Sequence, residues 1–273
     1  MTDTPPGAAP RRCAVLGSPI AHSLSPTLHR AAYAHLGLGW TYEAIEVREH
    51  ELAGFVGSRD HTWRGLSLTM PLKRAAVQVA TSTVDPVGVT GVANTLILAG
   101  DQRVAYNTDV PGMAAALAEA GIVAAGTATV LGGGSTAAAA VAALAPVTDV
   151  VVVVVRSVRR AGAVQAVADR VGVRLTLVDW SAAGAHMRAP VVVSTTPAGA
   201  SDSLVGDVPQ NPGLLFDVVY DPWPTPLAAG WARAGGRVLG GLDLLVHQAV
   251  GQVALMTGRT VPVEVLRASV RRT

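Results

Sequence analysis

Short apolar runs rich in β-branched residues alternate along this chain with longer stretches rich in Ala and Leu. The runs predict strands over residues 13–16, 42–47, 65–68, 92–98, 104–106, 128–131, 150–155, 174–177, 191–194, 214–218 and 237–239, with helices fitting between most of them. Parallel neighbours need a crossover long enough to carry a helix, so this rhythm predicts an α/β fold with largely parallel sheets. One pair departs from it. Residues 92–98 and 104–106 flank Ala99-Gly100-Asp101-Gln102, which reads as a hairpin, so the first sheet is expected to be mixed.

Composition then divides the chain. Five of the seven histidines and six of the aromatic residues precede residue 108, and beyond it Ala, Val and Gly dominate. A domain boundary is therefore expected at Asn107-Thr108-Asp109, followed by a helix with Pro111 in its first turn, with a further break at Gly240-Gly241. Residues 1–11 hold three prolines and no hydrophobic period, and read as a loose tail.

Half of the 273 residues are apolar and only 15% are charged, which excludes a disordered chain. A net charge of +2 is too small to argue for a nucleic-acid or membrane surface, and neither partner is expected. The richest apolar stretch, 137–155, is interrupted by Pro146, Thr148 and Asp149, whereas a membrane span needs about 20 continuous apolar residues. With no signal-peptide pattern, a cytoplasmic protein is expected. The single cysteine, Cys13, lies in an apolar run and reads as a buried structural thiol. His22, His29, His35 and His247 fit helical or loop surfaces, and no spacing predicts a metal site.

The chemistry begins at Gly132-Gly133-Gly134-Ser135-Thr136-Ala137, between the strand 128–131 and a helical run over 136–145. This is G-x-G-x-x-A in a strand–turn–helix setting, the form that binds a dinucleotide. Gly132 permits the tight turn, Gly134 the approach of a pyrophosphate, and Ala137 close packing of helix on strand. The pyrophosphate then meets the free N–H groups of the helix start. The next strand, 150–155, ends in Arg156-Ser157-Val158-Arg159-Arg160, with no acidic residue to take a ribose 2′-hydroxyl. A guanidinium there matches a 2′-phosphate in charge and in its fork of donors, so Arg156 with Ser157 predicts NADP.

Seven motifs in order carry a resemblance over nearly the whole chain. They are Leu16-Gly17-Ser18-Pro19-Ile20-Ala21-His22-Ser23-Leu24-Ser25-Pro26, Ser67-Leu68-Thr69-Met70-Pro71-Leu72-Lys73, and Gly91-Val92-Ala93-Asn94-Thr95-Leu96 with Asn107-Thr108-Asp109 after it. The glycine loop and the Arg156-Ser157…Arg160 segment follow, then Asp217-Val218-Val219-Tyr220 and Gly241-Leu242-Asp243-Leu244-Leu245-Val246-His247-Gln248-Ala249. In these the chain resembles the shikimate dehydrogenase family. The resemblance implies reduction of 3-dehydroshikimate to shikimate with NADP, in chorismate and aromatic amino-acid biosynthesis, by a monomer or homodimer. It implies two α/β domains with a cleft between them. Residues 1–108, completed by C-terminal helices from 243 to 273, would bind substrate, and residues 109–242 would form a Rossmann-type domain.

The family's roles carry over to Lys73 and Asp109 as the catalytic pair, and to Ser23 and Ser25 as hydroxyls that receive the substrate carboxylate. Thr69, Asn94, Asp109 and Gln248 resemble the groups that hold ring hydroxyls, with Tyr220 a nearby contact. Cofactor contacts are implied at the loop 132–137, at Arg156, Ser157 and Arg160, and at Val218 and Gly241. The chemistry is coherent with the residues themselves. Ketone reduction needs a hydride at carbon and a proton at oxygen; a cationic Lys73 can give the proton and steady the alkoxide.

Several positions depart from the common family pattern: Ser67 stands for a frequent Asn, Ser135 for a glycine, Val155 and Ser194 for Asn, Asp243 for Gly, and Leu24 for a polar residue. Structural roles remain open too. Ser25 before Pro26 reads as a helix N-cap, Asp109 as a cap of the Pro111 helix, Asn94 as a partner for backbone, and Gln248 as an interhelical hydrogen bond. The rival functions are an NAD-dependent quinate/shikimate dehydrogenase, opposed by the missing acid after Val155, and an idle nucleotide-binding regulator, opposed by the retained Lys73 and Asp109.

Overall fold

A computed structural model describes residues 9–270, without the Arg160 side chain. Most of the expected N-terminal tail, residues 1–8, thus lies outside the described residues, and 9–11 have no regular structure. Backbone contacts divide the chain into two compact units, one running to Thr108 and resuming at Val246, the other Asp109–Leu245.

The first unit holds β1 (Arg12–Gly17), β2 (Thr41–Glu46), β3 (Trp63–Leu68), β4 (Ser82–Thr83), β5 (Thr95–Ala99) and β6 (Gln102–Tyr106), in the sheet order β2-β1-β3-β5-β6-β4. β1 lies parallel to β2 and β3, whereas β5 is antiparallel to both β3 and β6, so the sheet is mixed. β5 and β6 form the expected hairpin about Gly100-Asp101. The strand predicted over 92–98 begins only at Thr95: Asn94 still bonds through its backbone to β3 and β6, but Ala93 turns to the carbonyl of Lys73. β4 was not predicted, since two residues carry no period. The core gathers Leu16, Leu66, Leu68, Leu72 and Leu96 on one side. On helix Ser25–His35, packed against Val263–Val270, Leu28, His29, Ala32 and Tyr33 are buried.

The second unit holds β7 (Ala128–Leu131), β8 (Val150–Val155), β9 (Arg174–Asp179), β10 (Val191–Ser194), β11 (Leu214–Asp217) and β12 (Arg237–Leu239). Their order is β12-β11-β10-β7-β8-β9 and every pairing is parallel. This is the doubly wound Rossmann-type arrangement, with the order reversing between β7 and β10, where ligands of such sheets bind. Strands covered on both faces can be apolar throughout, which explains six consecutive valines in β8 and the wholly buried β7, β10 and β11.

Candidate active site

In the first unit the site is assembled by backbone hydrogen bonds at the carboxyl ends of β1 and β3. Thr69 N–H donates to Leu16 O (2.9 Å) and Ser18 N–H to Met70 O (3.1 Å), which ties the loop carrying Ser23 to the end of β3. Residues 92–94 cross that same end: Leu68 N–H donates to Asn94 O (2.7 Å), Asn94 N–H to Tyr106 O (3.0 Å), and Ala93 N–H to Lys73 O (2.9 Å). Lys73, half-buried in a turn before the helix Ala75–Val79, is thereby held beside the Asn94 segment. On helix Gly241–Thr257, Gln248 is buried, with Oε1 3.4 Å from Asn94 Nδ2. Thr69, Lys73, Asn94 and Gln248 are therefore brought together. Ser25 is buried in the first turn of its helix, and its side chain does not cap it: Leu24 holds the cap position, and Ser25 N–H instead reaches Ser23 Oγ (3.3 Å).

Behind Asn94 runs a buried polar cluster absent from the expectation. Gln252, one helical turn beyond Gln248, donates from Nε2 to Asn94 O (3.1 Å) and Thr95 Oγ1 (3.0 Å). Its Oε1 accepts from Ser67 Oγ (2.7 Å) and faces His29 Nε2 (3.2 Å). Two glutamines four residues apart on an apolar helix were the available signal. His29 is a correction: expected on a surface, it is fully buried, stacked on Tyr42 with ring centroids 3.9 Å apart. Tyr42, Tyr33 and Gln252 enclose a helix face that the spacing of apolar residues alone does not mark.

Burial lowers the His29 pKa to about 4 from 6.5, opposed by the Gln252 hydrogen bond. The unfolded chain therefore takes up this proton first. The contribution to stability is complete above pH 6.5 and is lost as pH falls through 4, on the order of 3 kcal/mol in all. Urea unfolding from pH 7 to 4 should show this loss in the native chain and a flatter profile in His29→Leu; parallel profiles would refute the assignment. Cys13 is buried as expected, and burial pushes its thiol up to about 11, which makes it inert.

The other expected residues lie in the second unit. Asp109 is buried at the first position of helix Asp109–Glu119, with Pro111 in that helix's first turn as expected. Gly132 leaves β7 with φ +109°, and a Cβ there would stand 2.6 Å from Thr195 Oγ1, so only glycine fits. Helix Ser135–Leu144 starts one residue earlier than expected and has Gly134 at its N-cap without a side-chain cap. Its ten residues orient the N–H groups of its first turn toward the loop mouth. Ala137 is wholly buried.

Gly132 N–H donates to Val154 O (2.8 Å), and the space beside Gly133 is filled by Val155, so the glycine loop abuts the end of β8. Arg156 is exposed directly beyond, with Ser157 half-buried. Across the sheet, Val218 N–H donates to Ser194 O (3.0 Å), and Gly241 N–H to Val219 O (3.0 Å). A Cβ on Gly241 would run into Val218 O, so these two positions are packed backbone to backbone. Asp217, to which no role was given, fixes this turn by accepting from Thr225 Oγ1 (2.7 Å) and Val219 N–H (3.3 Å); burial raises its pKa. Tyr220 is half-buried at the turn's end.

A cavity of about 790 Å³ in the first unit, lined by Arg11, Arg59, Arg64 and Arg103, includes none of these residues and is not the site. Among the described residues no helix is long and apolar enough to cross a membrane.

The model of the shikimate dehydrogenase substrate binding domain matches residues 15–96, and that of the shikimate 5′-dehydrogenase C-terminal domain matches 241–271. The shikimate dehydrogenase (NADP(+)) of Moorella thermoacetica is 34% identical over 93% of this chain and 90% of its own length. The chain belongs to the shikimate dehydrogenase family. The crystal structure of Mycobacterium tuberculosis shikimate dehydrogenase is 42% identical, with a TM-score of 0.90 over 97% of this chain and 100% of that one. The shikimate 5-dehydrogenase of Thermus thermophilus, solved in complex with NADP(H) and shikimate, is 32% identical, with a TM-score of 0.85 over 96% of this chain and 99% of that one.

Two departures from the shikimate dehydrogenase pattern now have a structural account. Ser67 accepts from Tyr42 Oη (2.5 Å) while donating to Gln252. Asp243 accepts from Gly240 N–H (3.0 Å) at the start of the Gly241–Thr257 helix.

Proposed function

We propose that this chain is a cytoplasmic NADP-dependent oxidoreductase that interconverts 3-dehydroshikimate and shikimate, in the route to chorismate and the aromatic amino acids. The observation that carries this reading is the joining of Lys73 to Asn94, Thr69 and Gln248 through the 92–94 segment. A single ammonium set among hydroxyl- and amide-bearing side chains suits a small, hydroxylated ketone. Bound NADPH supplies the hydride. Lys73 Nζ gives its proton to the carbonyl oxygen as that oxygen becomes an alkoxide, and in the reverse direction takes the hydroxyl proton. Asp109, in this reading, orients the ammonium and holds a ring hydroxyl.

Ser23 and Ser25 donate to the substrate carboxylate, while Thr69, Asn94 and Gln248 hold the ring hydroxyls with Tyr220 nearby. The loop 132–137 and its helix N-terminus take the pyrophosphate, Arg156 and Ser157 with Arg160 take the 2′-phosphate, and Val218 and Gly241 border the reacting half of the cofactor. Nothing in the reaction requires a second subunit, so monomer and homodimer serve it equally.

Purified protein should form NADPH from NADP and shikimate with no added metal. It should discriminate strongly against analogues lacking one hydroxyl, because the site's polar groups would be left unpaired. Binding of NADPH without turnover of shikimate by either cofactor would sink this reading in favour of a nucleotide-binding regulator.

A further inference from the structure

The polar cluster behind Asn94 has a defined direction. Tyr42 Oη–H donates to Ser67 Oγ, so the Ser67 proton is left for Gln252 Oε1. That acceptance orients the Gln252 amide, whose nitrogen then faces Thr95 Oγ1 and Asn94 O. With its lone pair engaged by Gln252, the Thr95 hydroxyl sends its proton to Asn94 Oδ1 at 2.8 Å. Thr108 N–H meets the same oxygen at 2.8 Å. The Thr108 hydroxyl lies 2.8 Å from Asn94 Nδ2 and 3.2 Å from Oδ1 and does not discriminate between them; the Thr95 hydroxyl and the Thr108 N–H do.

We infer that Thr95 and Gln252 are positioning residues that lock the Asn94 carboxamide, its oxygen turned inward and its nitrogen on the Gln248 side. Resting on the proposed function, this means that Asn94 meets the substrate as a donor, toward an oxygen that accepts. A flipped amide would present an oxygen to that same atom, and the two could bond only if the hydroxyl turned its own proton toward it and away from its other partner. Both positioning residues are buried, Thr95 at 0% and Gln252 at 2% exposure, so neither touches solvent. An unoriented Asn94 would lose affinity for substrate while leaving the proton and hydride steps, and the cofactor, as they were.

Thr95→Val removes the hydroxyl at constant shape in a strand, where valine is well accepted. It should raise KM for shikimate about 3- to 10-fold, the worth of one net hydrogen bond. Its kcat should stay within about twofold and KM for NADP should be unchanged, and Thr95→Ser should restore the native KM. Adding Gln252→Met to Thr95→Val should cost less than the two losses summed, since both act through one amide. The chain has three asparagines, so ¹⁵N-asparagine labelling gives three side-chain amide signals. The Asn94 amide protons should exchange slowly in the native chain and in Thr95→Ser, and fast in Thr95→Val.

Equal changes in KM for both ligands without rescue by serine, or Asn94 exchange indifferent to Thr95, would overturn the inference. If the native chain turns over no shikimate, the proposed function fails, and the exchange measurement alone then decides the positioning role.

Discussion

Lys73→Ala should lower kcat for shikimate oxidation by about 10²–10⁴, the usual worth of a positioned acid or base. KM for shikimate should move far less, because the loss falls on the transition state, where proton and hydride are both in flight. The experiment is clean for a structural reason. The bond that ties this turn to the Asn94 segment uses Lys73 O, which the substitution leaves in place. The side chain is only half-buried, so its removal should leave the thermal midpoint close to native. Steady-state kinetics beside a melting curve therefore separates chemistry from folding. Near-normal kcat with weakened affinity would reduce Lys73 to a binding residue and move the proton transfer elsewhere.

Arg156→Ala should weaken NADP by roughly 1.5–3 kcal/mol, the range for hydrogen bonds to charged groups, or on the order of 10- to 100-fold in KM where binding equilibrates. Kinetics with NAD, which lacks the 2′-phosphate, should barely change. Arg156 is exposed just past β8, so the fold should tolerate its loss. Damage to the adjoining glycine loop would instead impair both cofactors alike. Comparing kcat/KM for the two cofactors in the native and variant chains gives the answer, and equal losses would make Arg156 structural.

The second sheet was the most legible part of the chain. Strands 128–131, 150–155 and 191–194 stand where the apolar runs placed them, because a parallel strand covered on both faces announces itself by composition alone. The glycine loop was equally plain, since Gly132 needs a φ that other residues rarely adopt. Residues 92–94 misled because their apolar character serves a different end. Val92 and Ala93 are buried, yet Ala93 N–H turns to Lys73 O and Val92 O takes the side chains of Thr90 and Asn107 instead of a neighbouring strand. His29 misled because burial of a polar ring depends on what lies opposite. Its partners Tyr42 and Gln252 are 13 and 223 residues away in the chain, beyond the reach of any local pattern. The same distance hid the cluster behind Asn94, although Gln248 and Gln252 at one-turn spacing hinted that their helix faced something polar.

The way the chain returns to its first unit bears on how it is made. Residues up to Thr108 leave the ribosome early, yet their unit is closed only by the chain from Val246 onward. Synthesis at roughly 5–20 residues per second delays that closure by on the order of ten seconds. Meanwhile the Asp109–Leu245 unit, contiguous in sequence, has everything it needs to fold. The usual order, in which the earlier domain folds first, is therefore expected to be inverted. Until that closure the faces that will meet Ala249, Val253 and Leu266 stay uncovered in the first unit, the kind of exposed apolar surface that makes a nascent chain prone to aggregate.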